Sequence, residues 1–323
     1  MGTHGTQFSV VIPAYNAAQW LGQTLESWAR QTVRDFEVIV VDDGSDDATV
    51  AVAEAFHDRL NIQVIGERRS GAPARPCNVG IRAAQGEIIV HCDADDLATP
   101  DRLEWIRHAW EKAGRRDCLI ISDFAEVDAQ GGLLRKSVLA DYSALQDANL
   151  EPLGNDVVLI QPDAAFTALL EGSFIRPCSA ATPKRVLEKI GGFNEALRNG
   201  QDFELYVRIT REYPLVWSQR VLASYRIAPG SISFRSAIQL APGRLAIFYP
   251  LLDLPLTRAQ TATVRRSIAS NYESLGYAYG NRGEVWQSLY AYCRAFKQQP
   301  SLDQLRGIAT SVAKFLLRRQ RDS

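Results

Sequence analysis

Along the first 130 residues, short β-branched runs alternate with segments of helical spacing. Residues 8–12 read as a strand, and 17–30 repeat apolar positions at Leu21, Leu25 and Trp28, one face of a helix. Residues 36–41 (FEVIVV) are almost wholly apolar, as a strand covered on both faces requires. Residues 46–60 read as a helix with an acidic first turn, where the macrodipole favours negative charge. Two further strands fall at 62–65 and 87–91, separated by a helical piece at 78–84 that Gly86 ends. Residues 100–113 open on Pro-Asp and run on as a helix, and 118–122 form the next strand. This β-α-β-α order predicts an α/β fold, a mostly parallel sheet with helices on both faces.

Beyond about residue 130 the pattern changes. Gly131-Gly132 turns a hairpin-like stretch, and 141–162 is loop-rich. Residues 186–190 lead into Gly191-Gly192, 202–210 read as a helix, and 216–227 as one or two strands. From about 236 the chain reads as helical to its end, interrupted early by Pro242, Pro250 and Pro255. A domain boundary is therefore expected near 235, dividing an α/β domain at 1–235 from a helical region at 236–323.

Length supports this division, because 323 residues suit one domain of roughly 200–250 residues with an appendage. A composition that is 46% hydrophobic and 23% charged is that of a soluble globular protein. A net charge of −1 argues against a nucleic-acid binder, which needs a basic excess. The opening residues lack a basic segment followed by a long apolar run, so no signal peptide is expected. No apolar stretch approaches the ~20 residues of a membrane span. The five cysteines are scattered without CxxC spacing, which reads as reduced thiols in a cytoplasmic protein.

In an open parallel sheet, ligands bind beyond the carboxyl ends of the strands. The first strand here ends in Pro13-Ala14-Tyr15-Asn16, the second in Asp42-Asp43-Gly44-Ser45, the fourth in Asp93-Ala94-Asp95-Asp96. Carboxylates converging on one edge repel unless a cation or hydrogen-bond donors lie among them. Asp-x-Asp after a strand turns two carboxylates to one side, because side chains alternate. Such hard oxygens suit Mg²⁺ or Mn²⁺ shared with phosphate oxygens and water. No GxxxxGK[ST] loop or GxGxxG fingerprint follows any strand, so neither a P-loop NTPase nor a dinucleotide enzyme is indicated. Plainer roles are open beside these. Asp42-Asp43 could form only an Asx turn, Asp96 could cap the next helix or be solvated, and Asp202 could be an N-cap. His91 and Cys92, beside the Asp-x-Asp, read as a packed imidazole and a buried thiol.

The segments VVIPAYNAAQWLGQTLESWARQT, FEVIVVDDGSDDAT and NVGIRAAQGEIIVHCDADDLATPDRL together resemble the family 2 glycosyltransferases of the GT-A fold. The similarity continues through IGGFNEALRNGQDFELYVRI and SYRIAPGSIS, spanning about residues 8–233. It implies that Pro13, Ala14 and Tyr15 line the base and ribose pocket and that Asp43 hydrogen-bonds the base. Asp93 would meet the ribose or the metal shell, Asp95 would ligate the divalent cation (Mn or Mg), and Arg75 lies where it could meet the nucleotide. Asp202 would be the general base of an inverting transfer from a nucleotide sugar, UDP-sugar favoured, to a hydroxyl of a glycan or lipid-linked acceptor. Polysaccharide, lipopolysaccharide or other cell-envelope glycoconjugate synthesis would be the setting.

Three positions depart from the family pattern: Ala228 where many members carry His, Pro76-Cys77 before Asn78, and Gln201 where Glu is frequent. They leave a second reading open, a catalytically silent nucleotide-sugar-binding protein whose helices recruit a partner. A sugar-phosphate nucleotidyltransferase would want a Gly-rich basic loop after the first strand, which PAYNAAQW does not offer. At its start Asp202 would feel a helix N-terminus, which favours the carboxylate and lowers its basicity.

Residues 269–300 resemble a single tetratricopeptide repeat, with Leu275-Gly276, Tyr279, Gly283, Tyr292, Ala295 and Pro300 at its spacings. A final helix over about 302–319 sets Leu305, Ile308, Val312, Phe315 and Leu316 on one side and ends in Arg318, Arg319 and Arg321. Two readings are open for that face. It docks within the chain or against a second copy, or it lies on anionic lipid at the inner face of the membrane.

Overall fold

The computed structural model describes residues 7–154, 156–228 and 236–319. Contacts divide the chain into two compact units, 1–229 and 230–323.

The first unit begins with β1 (Phe8–Ala14), α1 (Ala18–Ala29), β2 (Phe36–Asp42), α2 (Thr49–Glu54) and β3 (Ile62–Gly66). It continues with α3 (Ala74–Ala83), β4 (Ile88–His91), β5 (Leu97–Ala98), α4 (Arg102–Lys112), β6 (Leu119–Asp128) and β7 (Leu133–Arg135). Next come α5 (Ser143–Gln146), β8 (Leu150–Gly154), β9 (Val157–Ile160), α6 (Pro162–Glu171) and β10 (Ala180–Pro183). The unit closes with α7 (Lys184–Ile190), α8 (Gln201–Glu212) and β11 (Leu215–Ile227). The main sheet runs β3-β2-β1-β4-β10-β6-β11-β9-β8. Pairing is parallel from β3 through β4 and between β6 and β11, whereas β10 lies antiparallel between β4 and β6.

The core follows from composition. Every residue of β2 is buried, as a central strand with helices on both faces demands. On one side α1 supplies Leu21, Leu25 and Trp28, and α4 adds Leu103, Ile106 and Trp110. α3 sits so close to the sheet that a Cβ on Gly80 would fall 2.4 Å from Cγ1 of Val11. Gly80→Ala is accordingly expected to destabilise the unit by about 1–3 kcal/mol, read from urea denaturation.

Several expected boundaries shift. The helix expected at 46–60 shrinks to α2, because Asp46 and Asp47 are drawn into the loop after β1: the Asp46 amide donates to Oδ1 of Asn16 (3.0 Å), and Oδ2 of Asp47 accepts from the Ala18 amide (3.1 Å). α3 starts at Ala74, not 78, because Pro76 falls in a first turn that needs no N–H from it. The stretch at 141–162 is not simply loop: β8 and β9 pair as an antiparallel hairpin on β11. β10, four small or β-branched buried residues at the centre of the sheet, had no periodic signal.

The second unit comprises α9 (Ala237–Leu251), α10 (Arg258–Asn281), α11 (Val285–Gln298) and α12 (Leu302–Arg319). Pro242 and Pro250 do not break it early; both lie inside α9, which buries Ala241, Ile247, Phe248 and Leu251. α10 and α11 form a helical hairpin that begins well before residue 269. Its helices approach where Gly276 meets the Tyr292 ring, 2.8 Å from a notional Cβ, and where Oγ of Ser288 donates to the Gly276 carbonyl (2.7 Å).

α12 buries a face turned away from its leucines, with only Ile308 of the apolar stripe, among the described residues, partly buried beside it. Gln304 and Ser311 are buried, while Leu302 is 72%, Leu305 47%, Val312 40% and Leu316 55% exposed. Glycine again decides the packing: a Cβ on Gly307 would stand 2.5 Å from the Tyr292 ring, so the small face of α12 is the one that fits. No helix among the described residues is long and apolar enough to cross a membrane.

Candidate active site

The sheet order puts the ends of β2, β1 and β4 side by side, with Ala14 opposite Asp42 and Val11 opposite His91. The three polar strand ends therefore form one edge.

The β1 and β2 ends are laced together. The Asp43 amide donates to the Ala14 carbonyl (2.8 Å), and the Asn16 amide to Oγ of Ser45 (2.9 Å). Asp42 is a turn residue: its carboxylate accepts from the Ser45 amide (3.1 Å) and the Ser45 hydroxyl. Asp43 differs. It is buried, and its oxygens accept from the amides of Ser70 (2.7 Å) and Gly71 (3.2 Å), so it shapes the loop that faces the β1 end. Pro13 is half-buried and Ala14 buried, while Tyr15 is exposed beneath the Arg69 guanidinium, 4.0 Å from its ring centre. Arg75 opens α3 and is ion-paired with Glu67 (2.8 Å) at the surface; it does not line the cavity described next.

A cavity of about 20 Å³, water-sized, lies beyond β4 and is lined by Pro13, Cys77, His91, Asp93, Gln201 and Asp202 among others. Asp202 reaches it because Gly200, at φ +72°, turns the chain into α8 in a conformation that a side chain would strain. Gly200 is thus the N-cap, and Asp202 stands in the first turn as a functional-site candidate, not as the cap. Burial is the largest influence on its carboxyl and raises its pKa, opposed by the Phe203 amide and by Arg176. The helix start is therefore the weaker effect, contrary to the basicity expected from sequence. Beside it, Oε1 of Gln201 is buried without a hydrogen-bond partner among the described residues.

Asp93 is raised to about 8 by burial first, then by Asp95 and Asp202. Asp95 is also raised, chiefly by burial. Asp96 is neither a cap nor solvated. It is fully buried, and its Oδ1 accepts from the Arg226 amide (2.9 Å). His91 is pushed down to about 3 by burial and by Arg102, so it stays neutral, packed edge-on to Phe193 and Tyr206. The Cys92 thiol is pushed up by burial.

Asp93 carries a pH consequence. Its folded pKa lies above the unfolded carboxyl value of ~3.9, so its favourable contribution is complete below that value and is lost as pH rises to about 8. Asp93→Asn is expected to stabilise the metal-free protein at pH 8 and to have little effect near pH 4, read from urea midpoints across that range.

Asp93 and Asp95 suit a divalent cation: two hard oxygens whose mutual repulsion a cation would relieve. Among the described residues no third His, Cys, Asp or Glu joins them in a cluster. Position 228 holds a buried alanine. The remaining positions would fall to water and to a ligand's phosphate oxygens.

Residues 9–135 match the model described as Glycosyl transferase family 2. The crystal structure of Staphylococcus aureus TarS 1–349 in complex with UDP-GlcNAc aligns over 96% of this chain and 89% of its own, with a TM-score of 0.68 at 18% identity. The fold is GT-A. The mannosyltransferase PcManGT of Pyrobaculum calidifontis, in complex with GDP-Man and Mn²⁺, aligns over 97% of this chain and 81% of its own, with a TM-score of 0.58 at 19% identity. In sequence, an uncharacterized glycosyltransferase of Rickettsia conorii is 28% identical over 228 residues, 70% of this chain. The chain spans only 35% of that relative's length. The likeness to these structures is one of fold, and the family 2 match is carried by residues 9–135. The most informative features missed by sequence were the buried arginines 102, in α4, and 226, near the end of β11.

Proposed function

We propose that this chain transfers a sugar from a nucleoside diphosphate to an acceptor hydroxyl with inversion at the anomeric carbon. The observation that carries the reading is the shared cavity of Asp93 and Asp202, with Asp95 in the adjoining loop position. In this reading Asp202 takes the acceptor proton, and Asp93 with Asp95 holds the leaving group.

In this mechanism Asp202 accepts the acceptor hydroxyl proton as that oxygen bonds the anomeric carbon. The bond from that carbon to the diphosphate oxygen breaks, and its electron pair leaves with the diphosphate. Asp93 and Asp95 would hold a divalent cation, which stabilises charge developing on the leaving diphosphate. One displacement at one carbon inverts its configuration, through a transition state of oxocarbenium character as in inverting glycosidases. Gln201, which lines the cavity and has a buried acceptor oxygen without a partner among the described residues, would take a hydrogen bond from a sugar hydroxyl. Pro13, Ala14 and Tyr15 border the base and ribose, and Asp43 holds the facing loop. Arg75 is assigned the nucleotide's outer edge and must leave Glu67 to reach it.

UDP is the favoured nucleotide, on the likeness to TarS with UDP-GlcNAc, and Mn²⁺ the favoured ion, on the likeness to PcManGT. A thermal-shift screen of UDP, GDP, dTDP and their sugars with and without Mn²⁺ tests this. A large Mn²⁺-dependent shift for UDP is expected, and no shift with any base overturns the reading. Nucleotide binding without turnover over a broad panel of glycan and lipid-linked acceptors would instead favour the silent binder.

We infer also that the exposed leucine face of α12 meets anionic lipid. The segment 302–321 carries Arg306, Lys314, Arg318, Arg319 and Arg321 against Asp303 alone, a charge that opposes pairing with its own copy. Sedimentation with phosphatidylglycerol-containing vesicles, but not with pure phosphatidylcholine, is expected and should be lost in Leu305→Asp. A stable dimer that ignores both vesicles would replace this reading.

A further inference from the structure

Arg226 is a charged residue one position before the end of β11, and its side chain is buried, with 1% of the residue exposed. A guanidinium in such a place persists only if its donors are met, since it does not give up its proton. Each nitrogen is met, and each by a different part of the fold. Nε donates to the Asp95 carbonyl (2.8 Å), Nη1 to the Ala129 carbonyl (3.0 Å) and Nη2 to Oε1 of Gln23 (2.9 Å). The guanidinium lies 4.7 Å from the Trp20 ring centre, and the Arg226 amide donates to Oδ1 of Asp96. One residue thereby grips two consecutive members of the Asp93-Ala94-Asp95-Asp96 loop and ties them to α1, the helix that follows the β1 end, and to the turn between β6 and β7.

This grip has a specific consequence. Three carboxylates in four residues repel, and a loop held only at its ends would splay. Arg226 does not touch the Asp95 carboxylate. It fixes the Asp95 peptide, and that sets the direction in which the side chain leaves the backbone.

We propose that Arg226 is a positioning residue that holds Asp93 and Asp95 in the geometry in which they meet a divalent cation and the donor diphosphate. The inference rests on the donor-binding reading above. The planar fork is essential to it: lysine carries its three donors on a single nitrogen and cannot span partners set around three separate nitrogens.

The test compares wild type, Arg226→Lys and Gln23→Ala as full chains, by calorimetric titration of UDP with and without Mn²⁺ and by electron paramagnetic resonance of bound Mn²⁺. Thermal melting serves as the check on folding. Arg226→Lys is expected to bind UDP without metal within about twofold of wild type and to weaken Mn²⁺ about 10–100-fold, the range for partners that orient metal ligands. Gln23→Ala, which removes one of the three anchors and leaves the buried charge, should move Mn²⁺ affinity in the same direction by a smaller factor. If Arg226→Lys does not fold, Gln23→Ala alone decides. Unchanged Mn²⁺ affinity in whichever folded variant is measured, or equal loss of metal-free and metal-dependent binding, overturns the positioning role. A wild type that binds UDP with no Mn²⁺ increment overturns the cation reading and this inference with it, whereas a wild type with the increment and indifferent variants overturns only the inference.

Discussion

Asp202→Asn is expected to lower glycosyl transfer about 10²–10⁴-fold while nucleoside diphosphate affinity stays within about twofold. The amide has the shape of the carboxylate and can still occupy the first turn of α8, but it cannot accept the acceptor's proton. Two influences meet at this group. The N-terminal turn and the Phe203 amide favour the charged form, and burial, the larger of the two, disfavours it. A raised pKa makes the carboxylate a better base for a hydroxyl, whose own proton becomes acidic only as its oxygen bonds carbon. Rates with a fixed donor and acceptor, beside a titration of UDP, separate loss of chemistry from loss of binding. A variant with wild-type turnover would remove Asp202 from the mechanism and leave the donor site standing.

Asp95→Asn tests the proposed cation site beside the cavity and should have the second-largest effect. Donor affinity measured with Mn²⁺ is expected to fall at least about tenfold, to the level seen without metal. Metal-free UDP binding should change little, since the base and ribose are met at the β1 end. Asp93→Asn should share the loss and, unlike Asp95→Asn, also remove the carboxyl whose pKa Asp202 raises. A double variant that loses no more than either single one would show the two carboxylates acting as one ligand set. Retention of the full Mn²⁺ increment in Asp95→Asn would place the cation elsewhere.

Both expectations use residues that stand at strand or helix ends, where sequence is most readable. The apolar run of β2 and the polar tails of β1, β2 and β4 were legible because a strand buried on both faces is mostly apolar until it ends, with Ser9 and Glu37 satisfying each other as an exception. Parallel order then brings the ends to one edge. Asp202 was legible through motif resemblance, but its environment was not. The helix start visible in sequence argued for a weak base, and only the packing of the cavity walls around it revealed that burial dominates.

Other features had no local signature. β10 is four residues long, and its place between β4 and β6 comes from pairings with residues far away in sequence. Asp96 looked like a helix cap because its partner, the Arg226 amide, is 130 residues distant. α12 misled for a related reason. Its leucines mark an amphipathic helix, yet Gly307 and Ser311 turn inward, because the Tyr292 ring leaves room for nothing larger.

Sequence by itself determined the periodicity of elements, the α/β class and the edge where polar residues gather, all consequences of short-range backbone geometry and of keeping apolar strands dry. Tertiary structure decided which carboxylates share a cavity, which are held by a buried arginine and which face of the last helix is left exposed. Those outcomes depend on distance and burial between residues remote in the chain, and neither quantity exists until the chain has folded.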